Sequence, residues 1–184
     1  MNFKDYFFIL TLFSILLLAI KSPPSKPEFL EVSISIEEET PPIIVKSDYE
    51  LFLDAIGHQE SGNKYHIVNR YGYMGRYQFG METLKALGIS TTKSEFLNNP
   101  LLQEEAMELL LKDNKRILKK LINKYEGKVL HGVKVTESGI LAAAHLGGAG
   151  NVKKWFRRGT QFKDAKGTSI TSYMKRFEGY TLNI

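Results

Sequence analysis

Asn99-Pro100 opens a run in which Leu102, Ala106, Leu109, Leu110, Ile117, Leu121 and Tyr125 recur at helical spacing, a stripe sustained over about seven turns. Asn can accept a backbone N–H at the cap, and Pro suits the first turn because its missing N–H would be unpaired there anyway. The spacing therefore predicts the longest helix of the chain and, with it, a mainly helical domain. Ser47-Asp48-Tyr49-Glu50 is a capping box, so a second helix starts there. Phe52, Leu53 and Ile56 form its apolar face, and it runs out at Glu60-Ser61-Gly62-Asn63, where Gly62 can take the left-handed stop conformation. Glu60 is thereby placed in the last turn.

Residues 64–80 alternate aromatic, polar and glycine, which fits a long loop or a short irregular hairpin beside that helix better than a helix. A short helix is expected from Thr83 to Leu87. Thr136 can cap a central helix from Gly139 to Leu146, whose Ala142, Ala143 and Ala144 allow close approach of a neighbour. Gly147-Gly148-Ala149-Gly150 should end it, Asn151 should cap Val152 to Arg157, and Thr168 to Phe177 should form a last helix with Ile170, Tyr173, Met174 and Phe177 inward. There is no internal repeat.

The 184 residues include no cysteine, which excludes disulfides, thiolate metal sites and cysteine nucleophiles. Charge is divided unevenly: residues 1–47 carry four Lys/Arg against six Asp/Glu, and residues 48–184 carry 21 against 14, giving −2 and +7. The positive part favours an anionic partner. Tyr6 to Ile20 is a 15-residue run interrupted only by Thr11 and Ser14, with Lys4 before it. That is short for a bilayer span of about 20 apolar residues and fits the core of an export signal. Residues 1–21 are read as a signal peptide or a retained signal anchor. Residues 22–47, with five of the six prolines and the run Glu37-Glu38-Glu39, are read as a linker. Residues 48–184 are the folded domain. Export implies a periplasmic or cell-envelope location, with an inner-membrane tether if the signal is retained.

Glu60 is the residue type and position that glycosidic cleavage needs. The carbonyl end of a helix disfavours a negative carboxyl, and an apolar cleft would disfavour it further, favouring a protonated general acid. On its own this would be a weak signal, since most glutamates on helices are solvated. Its setting is HQESGNKYHIVNRYGYMGRYQFG over residues 58–80, followed downstream by LAAAHLGGAGNVKKWF over residues 141–156. Together these segments resemble the soluble lytic transglycosylases, lysozyme-like enzymes that cut peptidoglycan glycan strands. The likeness covers roughly residues 48–180. Glu60-Ser61 matches the family's catalytic Glu-Ser pair, and Gly75-Arg76-Tyr77-Gln78 matches a Gly-Leu-Met-Gln element at its Gly and Gln. Residues 144–152 align without gaps on Ala-Tyr-Asn-Ala-Gly-Pro-Gly-Asn-Val, identical at five of nine positions. His145 and Leu146 depart from the family's Tyr and Asn.

The resemblance implies an α+β lysozyme-like fold and a catalytic Glu60 that protonates the oxygen between N-acetylmuramic acid and N-acetylglucosamine. The same carboxylate then takes the proton of the sugar's own 6-hydroxyl, leaving a 1,6-anhydro ring. Ser61, Tyr77, Gln78, His145 and Gly148 are the expected substrate-binding residues. Asp54 should face away from Glu60, and Glu82 is the nearest acid downstream of the motif, so the usual pair of carboxylates is not evident. A muramidase that hydrolyses the bond, and a non-catalytic wall-binding module of the same fold, are the alternatives. Tyr71, Tyr73, Tyr77 and Phe79 could stack on sugars, although packing is the default for aromatic residues. The four histidines have no metal-site spacing, and neither a metal nor a cofactor is implied. Of the basic cluster Lys112, Lys115, Arg116, Lys119 and Lys120, the residues Lys112, Arg116, Lys119 and Lys120 fall opposite the apolar stripe and suit a solvated helix face more than a nucleic-acid grip. Peptidoglycan strands are the expected partner of a monomeric chain.

Overall fold

The structure, a computed structural model, describes residues 45–184. The export segment and nearly all of the linker lie outside the described residues. Helix α1, Asp48–Ser61, begins as its capping box requires: the Glu50 carboxylate accepts the Ser47 N–H at 2.7 Å and Ser47 Oγ accepts the Glu50 N–H at 3.3 Å. It ends at Gly62, whose left-handed backbone returns an N–H to the carbonyls of Gly57 and His58. Phe52 and Ile56 are fully buried.

Residues 64–80, expected to be a long loop or a short irregular hairpin, form an irregular double turn. Val68 bridges Met74, and Met74 bridges Phe79 through paired backbone bonds of 2.9 and 2.8 Å. Helix α2, Met81–Ala86, starts two residues before the expected Thr83. Helix α3, Lys93–Leu97, is absent from the elements expected above, yet it carries its own capping box, Thr92 with Glu95.

Helix α4, Pro100–Tyr125, has the expected start, with Asn99 Oδ1 accepting the Leu102 N–H at 3.1 Å. Its buried face differs from the expected one. Gln103, Ala106, Met107, Leu111, Asn114, Leu118 and Ile122 are buried, whereas Leu109 is 38% exposed and Leu102, Leu110, Ile117, Leu121 and Tyr125 are only partly covered. The helix is turned so that two polar residues reach the core, where Gln103 holds backbone groups of the 62–80 segment. A short antiparallel hairpin comes next, β1 (Val129–Leu130) and β2 (Val133–Lys134). His131 and Gly132 both have positive φ, 49° and 74°, as a two-residue hairpin turn demands.

Helix α5, Glu137–Arg158, packs against α4 on one side and helix α6, Ile170–Arg176, on the other. Ser138 to Ala144 are all buried, so this is the central helix expected from its alanines. Gly148 interrupts it with φ 77° and ψ 152°, a conformation in which a side chain would be strained. The break falls inside the expected glycine stretch. Asn151 does not cap the Val152–Arg157 turns: its amide donates to the Gly147 carbonyl at 2.9 Å from within the helical run. Helix α6 is shorter than the expected Thr168–Phe177, because Ser169 supplies the cap. The described residues thus make a mainly helical domain of six helices with one small hairpin, and no helix among them is long and apolar enough to cross a membrane.

Candidate active site

Glu60 sits where the last turn of α1 meets α5 and α6, in the wall of a cavity of about 430 Å³. Its side chain is 15% exposed. Two groups hold it. The Tyr173 hydroxyl, from α6, donates to Glu60 Oε1, and His145 Nε2, from α5, lies 3.9 Å from the same oxygen. Burial pushes the Tyr173 phenol above its ordinary value, and the Glu60 carboxylate adds to the rise, so Tyr173 remains a protonated donor. Burial pushes the His145 imidazole down against the opposing pulls of the Glu60 carboxylate and the Tyr77 carbonyl. The ring is 7% exposed and stacks edge-on with Phe79 at 6.0 Å.

Gln78, His145 and Gly148 line the cavity with Glu60. Gln78 has a positive φ of 54° and donates Nε2 to the Gly75 carbonyl at 2.9 Å. Tyr71 and Tyr73, each 47% exposed, also line it. Ser61 and Tyr77 are not in the cavity lining. Ser61 Oγ donates to the Arg76 carbonyl at 2.8 Å and accepts the Lys64 N–H at 2.9 Å, pinning the 62–80 segment to the end of α1. Tyr77 is fully buried, with its hydroxyl donating to Glu104 Oε2 at 2.6 Å. Both face demands of the scaffold that outcompete the cavity: two backbone groups to satisfy at a helix end, and a large ring to bury.

The scaffold behind the site is polar and connected. Arg76, 8% exposed, pairs with Asp54 and with Glu104 at 2.8 Å, and its Nε donates to Asn63 Oδ1 at 2.9 Å. Asp54 is thereby turned away from Glu60, as its position in α1 predicts. Glu82 pairs with Lys85, and Glu137 with Lys115 at 2.9 Å; neither lines the Glu60 cavity.

Some residues at or beside the cavity are not marked as site residues by the sequence. Tyr173 reads there only as an inward residue of the last helix. Asn114 lines the cavity from α4, and the loop after α5 supplies Lys163, Asp164 and Lys166. A buried tyrosine always raises the question of its hydroxyl's partner, which is the one local hint Tyr173 gives. No known family model, curated protein or solved structure matches the chain.

Proposed function

We propose that this chain is a peptidoglycan lytic transglycosylase with Glu60 as its single proton donor and acceptor. The observation that carries the reading is Glu60 itself: a largely buried carboxyl at a helix C-terminus, in a cavity wall, contacted by the Tyr173 hydroxyl and approached by an imidazole. A cavity of about 430 Å³ falls in the range used for small ligands and could receive sugar units of a strand. The exposed faces of Tyr71 and Tyr73 and the amide of Gln78 offer stacking and neutral hydrogen bonding of the kind sugars use.

In this mechanism Glu60 gives its proton to the oxygen bridging N-acetylmuramic acid and N-acetylglucosamine. The C1–O bond breaks, and the electron pair leaves with that oxygen. Positive charge develops at C1 and the ring oxygen. The 6-hydroxyl of the same sugar attacks C1, its proton passes to the Glu60 carboxylate, and a 1,6-anhydro ring closes. Tyr173 orients the carboxyl through one oxygen, leaving the other for the substrate. A neutral His145, its imidazole held down by burial, adds no positive charge beside Glu60. The chain acts at the cell envelope after export, its basic domain held near an anionic wall.

Hydrolysis to reducing-end muramic acid is the second reading, favoured by a second carboxylate, Asp164, in the same cavity. Incubating the full chain with purified peptidoglycan and weighing the released fragments tests both. Anhydro-muramic ends are expected, one water lighter than hydrolysis products, and Glu60→Gln should reduce release by about a hundredfold or more while preserving the fold. Activity of that variant within a few-fold of wild type would remove Glu60 from the mechanism, and reducing ends as the main product would replace the transglycosylase by a muramidase.

A further inference from the structure

We propose that Asp164 is a second catalytic carboxylate, set to stabilise the positive charge that develops on the sugar cleaved at Glu60. The inference rests on the glycan-cleaving reading above, but it holds for either product, because the charged ring precedes both ring closure and attack by water.

Asp164 belongs to the connection between α5 and α6 and lines the same cavity as Glu60, 104 positions away in the chain. Its connection is a built one. Asp164 Oδ1 accepts two backbone N–H groups, from Lys166 at 2.9 Å and Thr168 at 2.7 Å. The Asp164 N–H donates to the Thr168 carbonyl at 2.9 Å, and the Gly167 N–H returns to the Asp164 carbonyl at 3.0 Å. Lys163 bridges Ser169, and the Ile170 N–H reaches the Phe162 carbonyl at 3.2 Å. These bonds fix the half-buried carboxyl in place while Oδ2 has no hydrogen-bond partner among the described residues. Lys163 and Lys166 line the cavity too, yet among the described residues no cationic side chain is paired with Asp164.

One further observation ties this carboxyl to the Glu60 side of the cavity. Burial, then Glu60, then Asp164 push the Tyr173 phenol up, so Asp164 lies within electrostatic reach of the hydroxyl that touches Glu60. An anionic oxygen fixed by backbone donors, without a cation of its own, is suited to act on charge that appears only as the C1–O bond breaks, since it need not reorganise.

The bland role for Asp164 is the turn alone, and asparagine separates the two. Asn offers the same Oδ1 acceptor to Lys166 and Thr168 but carries no charge. In the full chain, Asp164→Asn should lower kcat on soluble, peptide-free glycan strands by about a hundredfold, with KM within about threefold and an unchanged melting temperature. Asp164→Ala should lose the turn bonds as well and melt lower. If wild type cleaves, Glu60→Gln does not, and Asp164→Asn keeps kcat within about threefold of wild type, Asp164 is a turn residue and the inference is overturned while the glycan-cleaving reading stands. If wild type releases no fragments from peptidoglycan, that reading falls and takes the inference with it.

Discussion

Gln103→Leu tests how the long helix holds the cavity wall. Gln103 is fully buried in α4, and its side chain makes three bonds to backbone: Oε1 accepts the Arg76 N–H at 2.8 Å, and Nε2 donates to the carbonyls of Phe96 at 2.8 Å and Tyr65 at 3.1 Å. The fit is close, since a Cβ on Gly75 would lie 2.1 Å from Gln103 Oε1. Leucine has nearly the same volume and fills the space, so no cavity term arises, but it strands the three backbone groups. Two of the bonds are buried and the third partly so. Each stranded buried group costs about 1–3 kcal/mol, offset in part by the better transfer of an apolar side chain. The net expectation is a loss of about 3 kcal/mol, equivalent to a melting temperature lower by about 10 °C for a domain of this size. Urea denaturation of wild type and variant, compared at equal m, measures it. Because the released segment carries Gln78, Tyr71 and Tyr73 into the cavity, peptidoglycan cleavage should also fall at temperatures where the variant is still folded. A stability loss below about 1 kcal/mol would refute the argument that Gln103 is the clamp.

Tyr173→Phe deletes one hydroxyl from beside Glu60. It should cut the cleavage rate by about tenfold, the worth of one hydrogen bond to a charged group, with a change in melting temperature of a few degrees at most; a rate within twofold of wild type would show that Glu60 is oriented without it. For His145 the prediction concerns pH. Its folded value is held below the ordinary 6.5 by burial, so below pH 6.5 the unfolded chain binds a proton that the folded chain does not. His145 therefore contributes full stability above that pH and loses it as pH falls towards the folded value, by up to about 1.4 kcal/mol per pH unit. His145→Tyr should flatten that acid limb of unfolding, and equal slopes for variant and wild type would refute a neutral, buried His145.

The helix ends are legible in the sequence because their causes are local. Ser47 with Glu50, Asn99 with Pro100, and Thr136 each satisfy N–H groups within three or four residues, and the left-handed Gly62 stops α1 just past Glu60. The same locality governs α3, through Thr92 and Glu95, and the hairpin, through His131-Gly132. The candidate acid, its place in the last turn, and the partnership of the 58–80 and 141–156 segments are likewise present in the order of residues.

Which face of α4 is buried is not. A periodicity count treats Gln103 and Asn114 as outward because they are polar, yet the tertiary structure turns them in. Gln103 answers backbone groups of a segment whose course a linear pattern does not contain, and Asn114 reaches the cavity. Ser61 and Tyr77 belong to the scaffold rather than the expected site for the same reason: the carbonyl of Arg76 and the carboxylate of Glu104 are partners defined only once the chain has closed on itself. The surroundings of Glu60 are tertiary throughout. Tyr173 stands 113 residues away along the chain and His145 on another helix. Sequence determined the helix end that presents Glu60, because capping acts over a single turn; its burial, the Tyr173 hydroxyl and the Asp164 carboxylate in the same cavity came from the tertiary packing, because desolvation and charge act through space.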